Sequence, residues 1–199
     1  MMKKYIVFIF AFVASIAWVK AQNAISPFIR AGVSFPSFSL DNRAYSANSI
    51  VGFHGGIGAI VDVPELSFEF EPGMQLAMRG AKLKSGSTTV SRSLLYIDIP
   101  MMINLPLTIG QTGIFAGVGG MFSFATAGWK SVGSAKSEKM NLSDELGNRF
   151  DLSGRVHGGL RIYGHQLSLF YERGFVNLST DKAYAAYNSG WGILYGYIF

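Results

Sequence analysis

Few side chains in this sequence carry chemistry, and their spacing suits something other than catalysis. The ionisable candidates are Arg30, His54, Glu69, Glu71, Arg79, Asp98, Arg155, His157, Arg161 and Glu172. A hydroxyl nucleophile needs a base within hydrogen-bond reach, and His54, Ser153 and His157 are the candidate members. Ser153 and His157 share a face of an alternating segment but stand about 13 Å apart at ~3.3 Å per residue. They form no direct dyad. Glu69 and Glu71 are same-face neighbours about 6.6 Å apart, yet no sugar cleft accompanies them as acid–base catalysis would require. The three histidines are widely spaced and make no metal motif. Cysteine is absent, which excludes disulfides, thiol catalysis and lipidation at a cysteine. The clusters Gly55-Gly56-x-Gly58 and Gly117-x-Gly119-Gly120 fail the dinucleotide fingerprint. Val61 and Phe122 hold its last glycine position, and no helix follows. No catalytic, cofactor-binding or metal-binding residue is assigned.

The elements that must position these groups alternate with period two. From Leu66 to Arg79, Leu66, Phe68, Phe70, Met74, Leu76 and Met78 form one phase. Glu69, Glu71, Gln75 and Arg79 fall in the other. A pleated strand sends such sets to opposite faces. Phe150–Tyr163 sets Leu152, Val156, Leu160 and Ile162 against Asp151, Ser153, Arg155, His157 and Arg161. Tyr96–Leu105, Val51–Val63 and Gly190–Phe199 repeat the pattern. Ile29–Phe35, Ile114–Phe124 and Leu167–Tyr171 show it more weakly, and Phe170 sits in the polar phase. Eight strands of about 8 to 14 residues result.

The intervals between them alternate in length. Pro36–Ser49, Gly80–Ser93, Ala127–Arg149 and Asn177–Ser189 are long. Pro64–Glu65, Pro106–Thr112 and Gly164–Gln166 are short. An up-and-down antiparallel barrel crossing a membrane has this asymmetry, and an even strand number agrees with it. Closure follows because lipid supplies no partner for a sheet edge. The long intervals are polar and of mixed charge, and read as solvated loops. The apolar phase is expected to face lipid. Its Gly- and Ser-rich counterpart carries charges of both signs and suits a narrow lumen. Trp129, Trp191, Tyr195 and Tyr197 read as interfacial aromatics. A lumen this narrow is filled by side chains, so the ionisable residues are expected to pair there. A soluble lipocalin-type barrel, with the apolar phase inside, is the structural alternative.

The first segment reads as an address. Lys3 and Lys4 precede the uncharged run Ile6–Val19, and Val19-Lys20-Ala21 supplies small side chains ahead of Gln22. This describes a secretory signal peptide, residues 1–21, cleaved between Ala21 and Gln22, with a barrel domain over 22–199. Without Lys3, Lys4 and Lys20 the formal charge falls from +5 to +2, and no basic run remains to track nucleic-acid phosphates.

Three motifs add a family resemblance. Phe68-x-Phe70-x-Pro72 runs into Arg79-Gly80-Ala81-Lys82. Tyr96-Ile97-Asp98-Ile99-Pro100 opens a later strand, and an alternating aromatic strand ends on Phe199. Together, over about Ser26 to Phe199, they resemble the PorT-type outer-membrane β-barrel family. The resemblance implies an eight-stranded barrel in the bacterial outer membrane. Its terminal strand, with Tyr195, Tyr197 and Phe199, is similar to the signal read by barrel-insertion machinery. A structural, assembly or secretion-associated role through the loops is implied, with outer-membrane lipid and other envelope proteins as partners. A narrow channel or small-solute binder is the functional alternative, a lipid-modifying enzyme a more distant one. The sequence departs from the family at Gly73, where a carboxylate is common, and at Asn104, where lysine is common. Both lie in the expected lumen phase.

Overall fold

The computed structural model describes residues 25–42, 45–86, 88–109, 112–133, 135–181 and 183–199. The expected signal segment, residues 1–21, and its Ala21–Gln22 junction lie outside them. Strands β1 (Ile25–Leu40), β3 (Gly52–Val63), β4 (Phe68–Ser85), β5 (Thr88–Ile109), β6 (Thr112–Val132), β8 (Phe150–Ile162), β9 (His165–Gly174) and β10 (Ala186–Ile198) form the wall. Each pairs antiparallel with its two neighbours, and β1 pairs with both β3 and β10, which closes the ring. Two short strands, β2 (Ser46–Asn48) and β7 (Glu138–Lys139), add to the free edges of β4 and β6. Helix α1 (Leu142–Glu145) lies in the β6–β8 connection.

The register fixes the barrel's shape. Partners run from Ile25 through Val61, Phe70, Ile103, Val118, Val156, Tyr171 and Trp191 to Phe35. The circuit returns to β1 ten residues along, which is the stagger that tilts the strands and leaves a lumen only side chains wide. The short connections β3–β4, β5–β6 and β8–β9 lie at one end, opposite the close of the β4–β5 hairpin. One is the Tyr163-Gly164 turn, with φ of 51° and 81°. Positive φ at both positions is the condition of a two-residue hairpin turn.

The two faces divide by polarity. Ile29, Val33, Ile57, Met74, Ile103, Val118, Leu160 and Leu169 are exposed on the outside. Arg30, Glu71, Arg79, Asp98, Arg155 and Glu172 are buried inside. This inverts a water-soluble protein, in which exposed apolar patches of this extent are rare.

Two expectations about the long connections are corrected. Gly80–Ser93 is not a loop, because β4 and β5 continue as a hairpin to Ser85 and Thr88. β5 and β6 are 22 and 21 residues long, about twice the ~9–11 a tilted strand needs to cross a bilayer, and longer than the 8 to 14 expected. The outer face of this extension is polar. On β5, outward Ile99, Ile97 and Leu95 give way to Ser93 and Ser91. On β4, Met78 gives way to exposed Lys82 and Lys84. A bulge at Thr126, between the pairs Leu95–Ala127 and Tyr96–Ala125, marks the boundary. Trp129 pairs with Ser93 and Lys139 above that line, so it stands on the extension. Phe35 and Trp191 stack at 4.5 Å on the outer wall.

The second correction concerns Ala127–Arg149 and Asn177–Ser189, which are only partly solvated. Met140, Leu142, Leu146 and Leu178 fold over the mouth and are buried against Phe38, Ala81, Leu94, Tyr96 and Ala125. Burial of four such side chains is worth several kcal/mol, about 1.5–3 kcal/mol for each when fully enclosed.

Candidate functional site

The lumen holds two ionic tiers beneath this apolar cap. Near the short turns, Arg161 Nη1 on β8 donates to both oxygens of Glu69 on β4, at 2.6 and 2.7 Å, and its Nε donates to Gln166 at 2.9 Å. Above it, Glu71 pairs with Arg30 and accepts from Asn104 Nδ2 at 2.9 Å. Asn104 Oδ1 in turn accepts from His157 Nε2 at 2.6 Å, a tautomer assigned from the surrounding bonds. Gly117 makes this contact possible. It is the register partner of both Asn104 and His157, and a Cβ there would overlap Asn104 Oδ1. Asn104 thus bridges a carboxylate and an imidazole. Gly73 sits opposite Gly58 in the register and adds no charge.

The second tier centres on Arg79. Its Nη1 and Nη2 bind the two Asp98 oxygens at 2.9 and 2.8 Å, and its Nε donates to Glu172 at 2.6 Å. The other Glu172 oxygen accepts from Arg155 Nη2 at 2.6 Å and Nε at 3.2 Å. Gln75 Nε2 donates to Asp98 at 3.0 Å and lies 3.3 Å from His54 Nδ1. Phe170 stacks under the Arg155 guanidinium, 4.5 Å from its ring centroid, and meets His54 edge-on at 4.9 Å. That gives an aromatic ring in a polar phase its purpose. Four guanidinium groups therefore meet four carboxylates, each pair on different strands. Paired and hydrogen-bonded, such charges are tolerable where a lone one would not be.

The arrangement is built for packing. Ser153 Oγ is buried with no partner among the described residues, and His157 is committed to Asn104, so the two form no catalytic pair. Among the described residues no group of acidic, histidine or cysteine side chains is placed to hold a metal ion. Three contributors were missed by sequence reasoning. Asp151 is fully buried and accepts from Asn188 Nδ2 at 2.8 Å, and Asn188 also reaches the Tyr96 hydroxyl at 3.3 Å. Their polar-phase positions were the available signal. Tyr195, Tyr197 and Phe199 point outward near the short turns; His165 on the adjacent strand pairs in register with Tyr197, and its ring Nδ1 lies 2.6 Å from the Tyr195 hydroxyl.

The cap has its own electrostatics. The Asn141 side chain caps α1 by accepting from Ser143 N at 3.3 Å. Glu145 pairs with Lys130 on β6 and accepts from the Asn141 amide at 3.0 Å. The bond from Lys130, then the one from Asn141, hold the Glu145 carboxyl below its ordinary value.

No family model and no curated relative matches the chain. Solved structures similar to it include Neisserial surface protein A, with a TM-score of 0.49 and 13% identity over 88% of this chain and 99% of that one. The attachment invasion locus protein Ail of Yersinia pestis gives 0.46 and 12%, covering 87% and 98%. The outer membrane enzyme PagL gives 0.46 and 9%, covering 83% and 98%. The likeness is one of fold alone. The chain's own register makes it an eight-stranded, antiparallel, up-and-down β-barrel.

Proposed function

We propose that this chain is an integral outer-membrane barrel of structural or assembly type, acting through its exposed surface and not through its lumen. One observation carries the reading. The interior is filled, by ion pairs between strands and by the Met140–Leu142–Leu146–Leu178 cap above them. A filled lumen offers solutes no path, which argues against the narrow-channel alternative. The continuous apolar exterior supports lipid as its surroundings, and the polar extension of β4, β5 and β6 supports a projection into water beyond it. The PorT-type resemblance agrees with this reading, and a signal peptide over residues 1–21 would export the chain. Tyr195, Tyr197 and Phe199 on the closing strand would be what the insertion machinery reads. The extension, with Lys82, Lys84, Ser91, Ser93 and Trp129 on its outer face, is the surface for another envelope protein.

Fractionation with a heat-modifiability gel tests the location. The protein is expected in the outer-membrane fraction, migrating faster unheated than boiled. Site-specific photocrosslinking tests the surface. Adducts are expected from position 91 or 93 and not from lumen position 168, and K82E/K84E is expected to abolish them. An aqueous, heat-insensitive protein would end the reading.

A further inference from the structure

Strand β9 places one residue against the logic of the wall. His165, Leu167, Leu169, Tyr171 and Arg173 face outward, while Gln166, Ser168, Phe170 and Glu172 are buried. Below the line of Met78, Leu95 and Phe124, Arg173 is the one outward-facing fixed charge on the wall strands among the described residues. It pairs in register with Gly154 and Ser189, two residues before exposed Phe175. It makes no hydrogen bond or ion pair with any described residue. A guanidinium on a lipid-facing surface is costly at mid-bilayer and tolerable only where it reaches headgroup level or finds an anion. A long side chain at the loop end of β9 can extend to that level.

Directly below it runs a groove of about 420 Å³ on the barrel wall, lined by Val156, Gly158, Leu169, Tyr171 and Trp191. The groove exists because Gly158 and its partner Ala116 put almost no side chain outward. Tyr171 pairs with both Val156 and Trp191 in the register, so the groove and Arg173 are consecutive along one strand. An apolar trough headed by a single unpaired cation is complementary to an acyl chain carrying a phosphate.

We propose that this face is a binding site for a phosphate-bearing acylated lipid of the leaflet at the long-loop end. The acyl chain lies in the Gly158–Leu169–Trp191 groove and the phosphate on Arg173. This rests on the outer-membrane reading and adds a specific lipid contact to it. A bidentate guanidinium–phosphate contact is geometrically suited to the role.

Native mass spectrometry of the detergent-purified barrel tests it, with dioleoyl phosphatidic acid and dioleoylglycerol as probes that differ only by the phosphate. The wild type is expected to retain one phosphatidic acid and to bind the diglyceride weakly. Arg173→Gln should bind phosphatidic acid about tenfold less well, the loss of one charge-assisted contact, and Arg173→Lys should retain part of the affinity. Leu169→Trp, which fills the groove from a lipid-facing wall, should weaken both probes. Every variant should remain heat-modifiable, which separates failure of this site from failure of the barrel reading. Equal binding by Arg173→Gln and wild type would overturn the proposal. So would equal binding of the two probes, displacement of phosphatidic acid by millimolar inorganic phosphate, or an Arg173-dependent dimer.

Discussion

Arg79 is the residue on which the interior turns. It is buried and joins Asp98 on β5 to Glu172 on β9, across the lumen. Removing it leaves two carboxylates without their shared partner, so Arg79→Met should destabilise the folded barrel by about 3–5 kcal/mol. Urea titration in lipid vesicles reads this directly. Replacing both members of the Arg30–Glu71 pair, as Arg30→Met with Glu71→Leu, should cost less than either change alone, because neither leaves a stranded charge. A loss equal to the sum of the single changes would show that the pair has no coupling. At this scale the sequence was informative about which side chains turn inward, since period-two alternation assigns faces. It was silent about partners. Asn104 and His157 meet over Gly117 only because three strands align at that height, and register across strands leaves no local trace. Arg173, beyond the Leu167–Tyr171 alternation read from the sequence, was passed over, and its groove depends on glycine and alanine from two neighbouring strands.

Among the elements, the least legible were the extensions of β4, β5 and β6. Above the bulge, Trp129 apart, their outward residues are mostly serine, threonine and lysine, which is loop composition. Their inward ones, such as Ala81, Leu83 and Leu94, contribute only one apolar residue in two. A strand leaving lipid for water loses the contrast by which it is recognised. The cap was hidden for a similar reason. Met140, Leu142 and Leu146 are single apolar residues scattered among polar ones, and they become a cluster only when folded onto Leu94 and Ala125. Lys130–Glu145 ties that cap to β6. Because Glu145 is held below its ordinary value of 4.5, the tie contributes fully above that pH and fades as pH falls through the lowered folded value. The protection factors of residues 135–149, corrected for intrinsic exchange, should therefore fall as the pH drops below 4.5, and Glu145→Gln should show the lower protection already at neutral pH. An unchanged profile in that variant would remove the ion pair from the cap's stability.

For the whole molecule, closure, strand number and facing were present in the sequence because lipid imposes them everywhere at once. Paired edges, an even count, and apolar residues at every second position are required along the whole wall. The filled interior follows from the narrow stagger of the ring, and planar-bilayer recordings should show no conductance above background. The account depends most on which phase meets lipid. The protein contains no cysteine, so single cysteines can be spin-labelled one at a time along β9 from Gln166 to Tyr171 in reconstituted vesicles. Oxygen accessibility is predicted to be high at Leu167, Leu169 and Tyr171 and low at Gln166, Ser168 and Phe170. The opposite alternation, or none, would contradict the account.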